Sequence, residues 1–285
     1  MEETNLDQFI KYWDGVICRW LNNYNDIEEK QRLFFDLKNR KNADVLKLCQ
    51  DHMPEPYWGN PKDCSIVIAN YNPGGGADRN RHTYKGCADW KNTFINEVVK
   101  VSDDKKYSIV VKDFPIIIKK EELGETVCWW EDYGGRPWWL KKMEWLEEHI
   151  IPALKNAENI KKKKPFAIEF CGWHSENWSG NACAEIYEDK NLKPVIDKYF
   201  IDVLTDAVKL SESELGICVG AQFYHMFISK GMRPVKCYKN TGSPKYDLHL
   251  FEINGARILS IWGAGYNRYP KIDSEKLEEL LGIKK

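Results

Sequence analysis

The stretch IVIANYNPGGG, Ile66 to Gly76, decides how this sequence is read. Four apolar residues run into Asn70, Tyr71, Asn72 and Pro73, and then into three glycines. A short apolar, β-branched run of this kind predicts a buried parallel strand over Ser65 to Asn70. After the strand come a polar elbow and a loop of nearly bare backbone. The pattern recurs downstream. FAIEFC (Phe166 to Cys171) predicts a strand ending in the elbow FCGWHS, and LGICVG predicts another followed by a helix over AQFYHMFISKG. YDLHLFEINGARILSIWGAGYN predicts two strands around the turn Asn254-Gly255, ending in a third elbow, GAGYN. Helices are expected over PVIDKYFIDVLTDAVKL and from Pro137 onward. Alternating helices and apolar strands predict an α/β fold. We expect a three-layer α/β/α sandwich with a mainly parallel central sheet over residues 53–285. An N-terminal helical cap over 1–52 precedes it, in which Phe9, Trp13, Val16, Ile17 and Trp20 repeat at helical spacing. Sheets of this class place their sites just beyond the C-terminal ends of the strands, where the three elbows lie.

At 285 residues the chain is long enough for one large domain, and 43% hydrophobic with 30% charged residues is a globular composition. No apolar run is long enough to span a bilayer, and MEETNLDQF lacks the basic flank of a signal sequence, so a cytoplasmic protein without membrane contact is expected. The nine cysteines are scattered singly with no CxxC pair, which argues for reduced, mostly buried thiols and against a metal centre. No cofactor is implied. A net charge of −1 does not call for nucleic acid, yet a local basic face suffices for phosphate contact. The run Lys161 to Lys164 reads as a solvated helix end.

The glycine run matches neither GxxxxGK[ST] nor a GxGxxG opening a helix. Its flanks carry more. PYWGNPKDCSIVIANYNPG resembles the first motif of the uracil-DNA glycosylase superfamily, a strand ending in an NPG elbow, and FAIEFCGWHS resembles the strand and elbow with which that superfamily reads the base. The similarity, strongest to a bacterial branch with a PYHS-like ending, covers about residues 54–270 and leaves 1–50 outside.

Carried over by position, the resemblance implies that Asn72 orients the attacking water. It places Tyr71, Gly74, Tyr84, Glu169, Phe170 and His174 around the base. Gly74 falls where the strictest uracil enzymes wall off C5, so room for a 5-substituted pyrimidine is implied. Tyr84, twelve residues after Asn72, stands at the spacing of the aromatic that stacks on the flipped base, an interaction worth about 1–3 kcal/mol. Glu169 falls near an Asn that reads uracil. A carboxylate only accepts hydrogen bonds, so an exocyclic amino group would suit it better than a bare O4. Gly75, Gly76, Arg79 and Arg81 are expected against the DNA backbone. The third elbow, SIWGAGYNRYP, departs from the family. It has no His, which leaves Tyr266, Asn267 and Arg268 as the DNA contacts and Tyr269 as a wedge.

These residues lead to an expected DNA glycosylase-like enzyme that hydrolyses the N-glycosidic bond of a flipped pyrimidine, modified bases included, without metal or cofactor. Its partner would be DNA, single- or double-stranded, and the chain is expected to act as a monomer. The missing His keeps an alternative open: a module of the same fold that binds a nucleobase or DNA with weak or no catalysis. A hydrolase of free nucleosides is a third reading.

Overall fold

The computed structural model describes residues 3–23, 56–71, 100–101, 107–108, 136–163, 165–173, 182–243, 245–263 and 269–283. In chain order these hold α1 (Asn5–Asn23), β1 (Tyr57–Trp58), β2 (Val67–Asn70), β3 (Lys100–Val101), β4 (Tyr107–Ser108) and α2 (Arg136–Trp145). A π-helical turn (Leu146–Ile150) and a 3₁₀ turn (Ile151–Ala153) lead to α3 (Ala157–Lys162) and β5 (Phe166–Glu169). Then come α4 (Ala182–Tyr187), α5 (Lys193–Ile196), a second π-helical turn (Asp197–Ile201) and α6 (Asp202–Leu210). The remainder is β6 (Leu215–Val219), α7 (Ala221–Ser229), β7 (Lys236–Asn240), β8 (Tyr246–Ile253), β9 (Ala256–Trp262) and α8 (Ser274–Leu281). The rest of the helical cap expected over 1–52, from residue 24 on, lies outside the described residues.

The chain forms two compact units: 1–60, 71–136 and 169–179 make one, and 61–70, 137–168 and 180–285 the other. In the first, α1 opens with a reciprocal cap. The Thr4 hydroxyl accepts from the Asp7 amide at 3.2 Å while the Asp7 carboxylate accepts from the Thr4 amide at 3.2 Å, so two orphan donors of the helix start are met. Leu6, Phe9 and Val16 recur at helical spacing and are buried, and the Phe9 ring lies 5.2 Å from that of Tyr57. Strands β3 and β4 form an antiparallel pair.

In the second unit six strands form a mixed, mostly parallel sheet in the order β5-β2-β6-β9-β8-β7. β2, β6 and β9 are parallel neighbours, with β2 and β6 buried along their whole length, while β8 pairs antiparallel with both β9 and β7. The α/β class expected from the sequence is therefore present. Asn254 (φ 50°) and Gly255 (φ 78°) both take positive φ, the turn that lets β8 and β9 twist together, and Ile253 pairs with Ala256 across it. Helix α6 buries Val203, Leu204, Ala207 and Val208. On α7, Phe227 packs 5.1 Å from Phe251 of β8. Helix α8 is capped by Asp273, whose carboxylate accepts from the amides of Glu275 and Lys276 at 3.0 and 3.3 Å. The Arg257 guanidinium donates to the Leu281 carbonyl at its other end.

Two expectations change in detail. The strand expected to reach Cys171 stops at Glu169, because the Cys171 amide leaves the ladder to donate to the Tyr71 carbonyl at 2.9 Å. The helix expected over PVIDKYFIDVLTDAVKL is interrupted by the π-helical turn at Asp197–Ile201. Within the lysine run, Lys161 and Lys163 are exposed, and Lys163 bridges Asp63 at 2.9 Å and Glu212 at 2.7 Å.

Candidate functional site

β2 ends on Asn70, which is buried, and its side-chain oxygen accepts from Nζ of Lys142 on α2. A lysine with no exposed surface is uncommon, since burial of its amine is costly without a partner. One turn along the same helix face, buried Trp145 donates its indole N–H to the Pro270 carbonyl at 2.7 Å. Its ring lies 5.1 Å from that of Tyr269, tilted by 32°. Helix α2 thus holds both the end of β2, two residues before Asn72, and the chain emerging from the third elbow. Lys142 and Trp145 were not among the residues expected from sequence. Their signal was the helical stripe 142, 145, 146 and 150, on which a lysine occupies a position otherwise given to buried apolar residues.

Tyr269 is not available as a wedge. Its hydroxyl is buried with no hydrogen-bond partner among the described residues, its ring packs on Trp145, and burial holds its phenol above the usual range. Local sequence hides this because Trp145, which claims the ring, is over a hundred positions away.

At the second elbow Glu169, Phe170, Cys171 and Trp173 are all buried. The Glu169 amide donates to the Pro56 carbonyl at 2.9 Å, and the Cys171 amide to that of Tyr71 at the same distance. Tyr71, at the start of the first elbow, and the second elbow are therefore tied together through backbone. Burial pushes the Cys171 thiol up to about 12, and the Glu169 carboxylate adds to the shift while a backbone hydrogen bond with Trp173 opposes it. The thiol is neutral and no nucleophile at physiological pH. Gly172 admits no side chain here, because a Cβ would stand 2.8 Å from the Trp13 ring and 2.9 Å from Cα of Pro56.

A further elbow, beyond the three expected from sequence, follows β6. Gly220 (φ 109°, ψ 157°) turns the chain into α7 in a conformation open essentially to glycine, and its amide donates to the Ile261 carbonyl of β9 at 2.9 Å. Gln222 then accepts from the Cys183 amide at 3.1 Å, fixing α4 against α7.

Of the residues singled out from sequence, Tyr71, Glu169 and Phe170 are placed as above. Asn72, Gly74, Gly75, Gly76, Arg79, Arg81, Tyr84, His174, Tyr266, Asn267 and Arg268 lie outside the described residues. Among the described residues no group of three or more His, Cys, Asp or Glu side chains is placed to hold a metal ion, and no helix is long and apolar enough to cross a membrane.

No family model, curated protein or solved structure matches this chain.

Proposed function

We propose that the chain is a DNA glycosylase-like enzyme related to the uracil-DNA glycosylase superfamily. In this reading it is a monomeric, cytoplasmic three-layer α/β/α protein with a helical cap over 1–52, working on a flipped pyrimidine without metal or cofactor. The observation that carries the reading is the backbone bond from Cys171 to Tyr71. It begins the NPG elbow and the FCGWHS elbow at one place, as a site assembled from both motifs needs.

Asn72 is assigned to the attacking water, with Tyr71, Gly74, Tyr84, Phe170 and His174 around the base. The C1′–N1 bond breaks through an oxocarbenium-like state, so holding the extruded nucleotide and stabilising the departing base supply most of the effect, and an amide that only orients water is adequate. The buried Glu169 carboxylate accepts hydrogen bonds and favours a base with an exocyclic amino group. Gly75, Gly76, Arg79, Arg81, Tyr266, Asn267 and Arg268 are assigned to the DNA backbone.

The absence of a His in SIWGAGYNRYP favours a second reading, a binding module that keeps the pocket without turnover. Mass spectrometry of oligonucleotides carrying uracil, 5-substituted uracils and modified cytosines separates the two. Base release lost in Asn72→Ala supports the enzyme. Folded protein that releases no base from any substrate, single-stranded ones included, refutes it.

A further inference from the structure

Trp262 closes β9 at the C-terminal end of the sheet and is 40% exposed, although rings on the neighbouring helix hold it in place. Tyr224 of α7 lies 5.8 Å from it, tilted by 32°, and His225 meets it edge-on at 5.3 Å. Tyr224 is fixed in turn by His249, 4.3 Å away on β8 and buried. The indole is therefore a rigid aromatic surface with one part left to solvent, immediately before the third elbow. Such a ring loses little entropy when a flat ligand stacks on it, the property that makes aromatic platforms effective.

Charge around the ring indicates what kind of flat ligand fits. Strand register puts Trp262, Asp247 and Lys239 in one row across β9, β8 and β7, on one face of the sheet. Lys245 is exposed, and its carbonyl lies against Gly263, where a Cβ would come within 2.6 Å of it. Two exposed lysines thus belong to the same edge of the sheet, with one carboxylate in the row between Trp262 and Lys239. A base stacked on the indole would leave its phosphates within the reach of long, flexible lysine side chains. A paired, stacked base in a duplex presents no free face to the ring.

We infer that Trp262, supported by Tyr224 and His225, is a stacking platform for an unpaired base of a single-stranded polynucleotide, with Lys239 and Lys245 as phosphate contacts. The inference rests on the reading of the chain as a protein that acts on DNA and narrows its substrate to a strand unpaired beside the target base.

Fluorescence anisotropy of the full chain with labelled dT12 and with a duplex of equal length tests this. Trp262→Ala is expected to weaken dT12 binding by about 5- to 150-fold, the range spanned by one base stacked on an aromatic side chain, while Trp262→Phe retains most of the affinity. Replacing Lys239 and Lys245 by Gln should flatten the slope of log K against log salt by about 0.7 for each phosphate no longer neutralised. Asp247→Asn should tighten binding. Wild-type affinity for dT12 in folded Trp262→Ala overturns the inference. So does preference for the duplex, or self-association by light scattering that Trp262→Ala abolishes. Base release measured in parallel separates the two claims. Release with dT12 binding indifferent to Trp262 refutes the platform alone, and Trp262-dependent binding without release refutes the enzyme alone.

Discussion

Gly172→Ala tests whether the second elbow is held by close packing. The added Cβ would stand 2.8 Å from Cη2 of Trp13 and 2.9 Å from both Cα and Cβ of Pro56, distances that real Cβ atoms do not tolerate. Neither neighbour yields easily. The indole is rigid and sits on α1, and the Pro56 carbonyl is engaged by the Glu169 amide at 2.9 Å. Overpacking of this kind costs about 1–3 kcal/mol. If Pro56 moves and its bond to Glu169 breaks, about 0.5–1.5 kcal/mol more is expected, for a total of about 1.5–4.5 kcal/mol. A chain of two units need not unfold in one step, so the assay is local: amide hydrogen exchange at Glu169 and Cys171, alongside urea unfolding. A loss of about 2 kcal/mol accelerates exchange roughly 30-fold where opening is at equilibrium. Gly231→Ala is the control. Gly231 has φ 83° and nothing within 4 Å of its Cβ position, so substitution there costs only the left-handed strain of about 1–2 kcal/mol and leaves Glu169 exchange unchanged. Exchange at Glu169 and Cys171 unaltered by Gly172→Ala would refute the packing argument.

Ser260→Ala removes a fully buried hydroxyl that has no partner among the described residues, and because an unmet buried polar group costs about 1–3 kcal/mol, urea midpoints should stay level or rise. A drop of more than about 1 kcal/mol would mean that the hydroxyl bonds its cross-strand neighbour His249, whose Nδ1 is also buried without a partner. Asp197 is partly buried, which raises its carboxyl, but hydrogen bonds from Lys193, Lys230 and Tyr187 outweigh this and hold it below the usual range. A lowered folded pKa gives stability present above the unfolded value of about 3.9 and lost as pH falls through the folded one, so acid titration below about pH 4 should be flatter in Asp197→Asn. Comparison with the wild type is essential, because Asp202, raised by burial and by Asp206, acts in the opposite sense. Among the described thiols, iodoacetamide should modify exposed Cys237 first and spare Cys64, Cys171 and Cys218 in the native protein, since burial pushes those three up, to about 12 for Cys64 and Cys171; mass spectrometry of the labelled peptides checks this.

The central strands were legible because each is buried along its whole length and so carries an uninterrupted apolar run: VIAN in β2, FAIE in β5 and LGICV in β6. The Asn254-Gly255 turn was legible because few residues adopt positive φ at both central positions. Strand β7 was not. KCYKN alternates without an apolar face, and it is a strand because β8 offers it one row of backbone partners at the edge of the sheet. Nor did local pattern distinguish Tyr71, Glu169 and Phe170, whose placement depends on their neighbours, from Tyr269, whose ring is taken by Trp145. Lys142 marks the same limit. Composition reads a lysine as solvated, whereas this one is buried with a partner, Asn70, that arrives from 72 positions away.

The elbows share one physical design in the residues described. Each elbow is flanked by a point fixed by buried contacts. Lys142 grips the last residue of β2, Trp145 grips the chain after the third elbow, and the Pro56, Tyr71 and Trp13 contacts close on the second. In the proposed reading, where an active constellation loses rate steeply when its groups are displaced by an ångström, anchors of this kind would serve function as well as stability. In the same reading they would give the glycine-rich segment a fixed starting point. The entropy that Gly74 to Gly76 bring is tolerable only if the residues before them are already immobile, and a buried Asn70 followed by a Tyr71 whose carbonyl is engaged meets that condition.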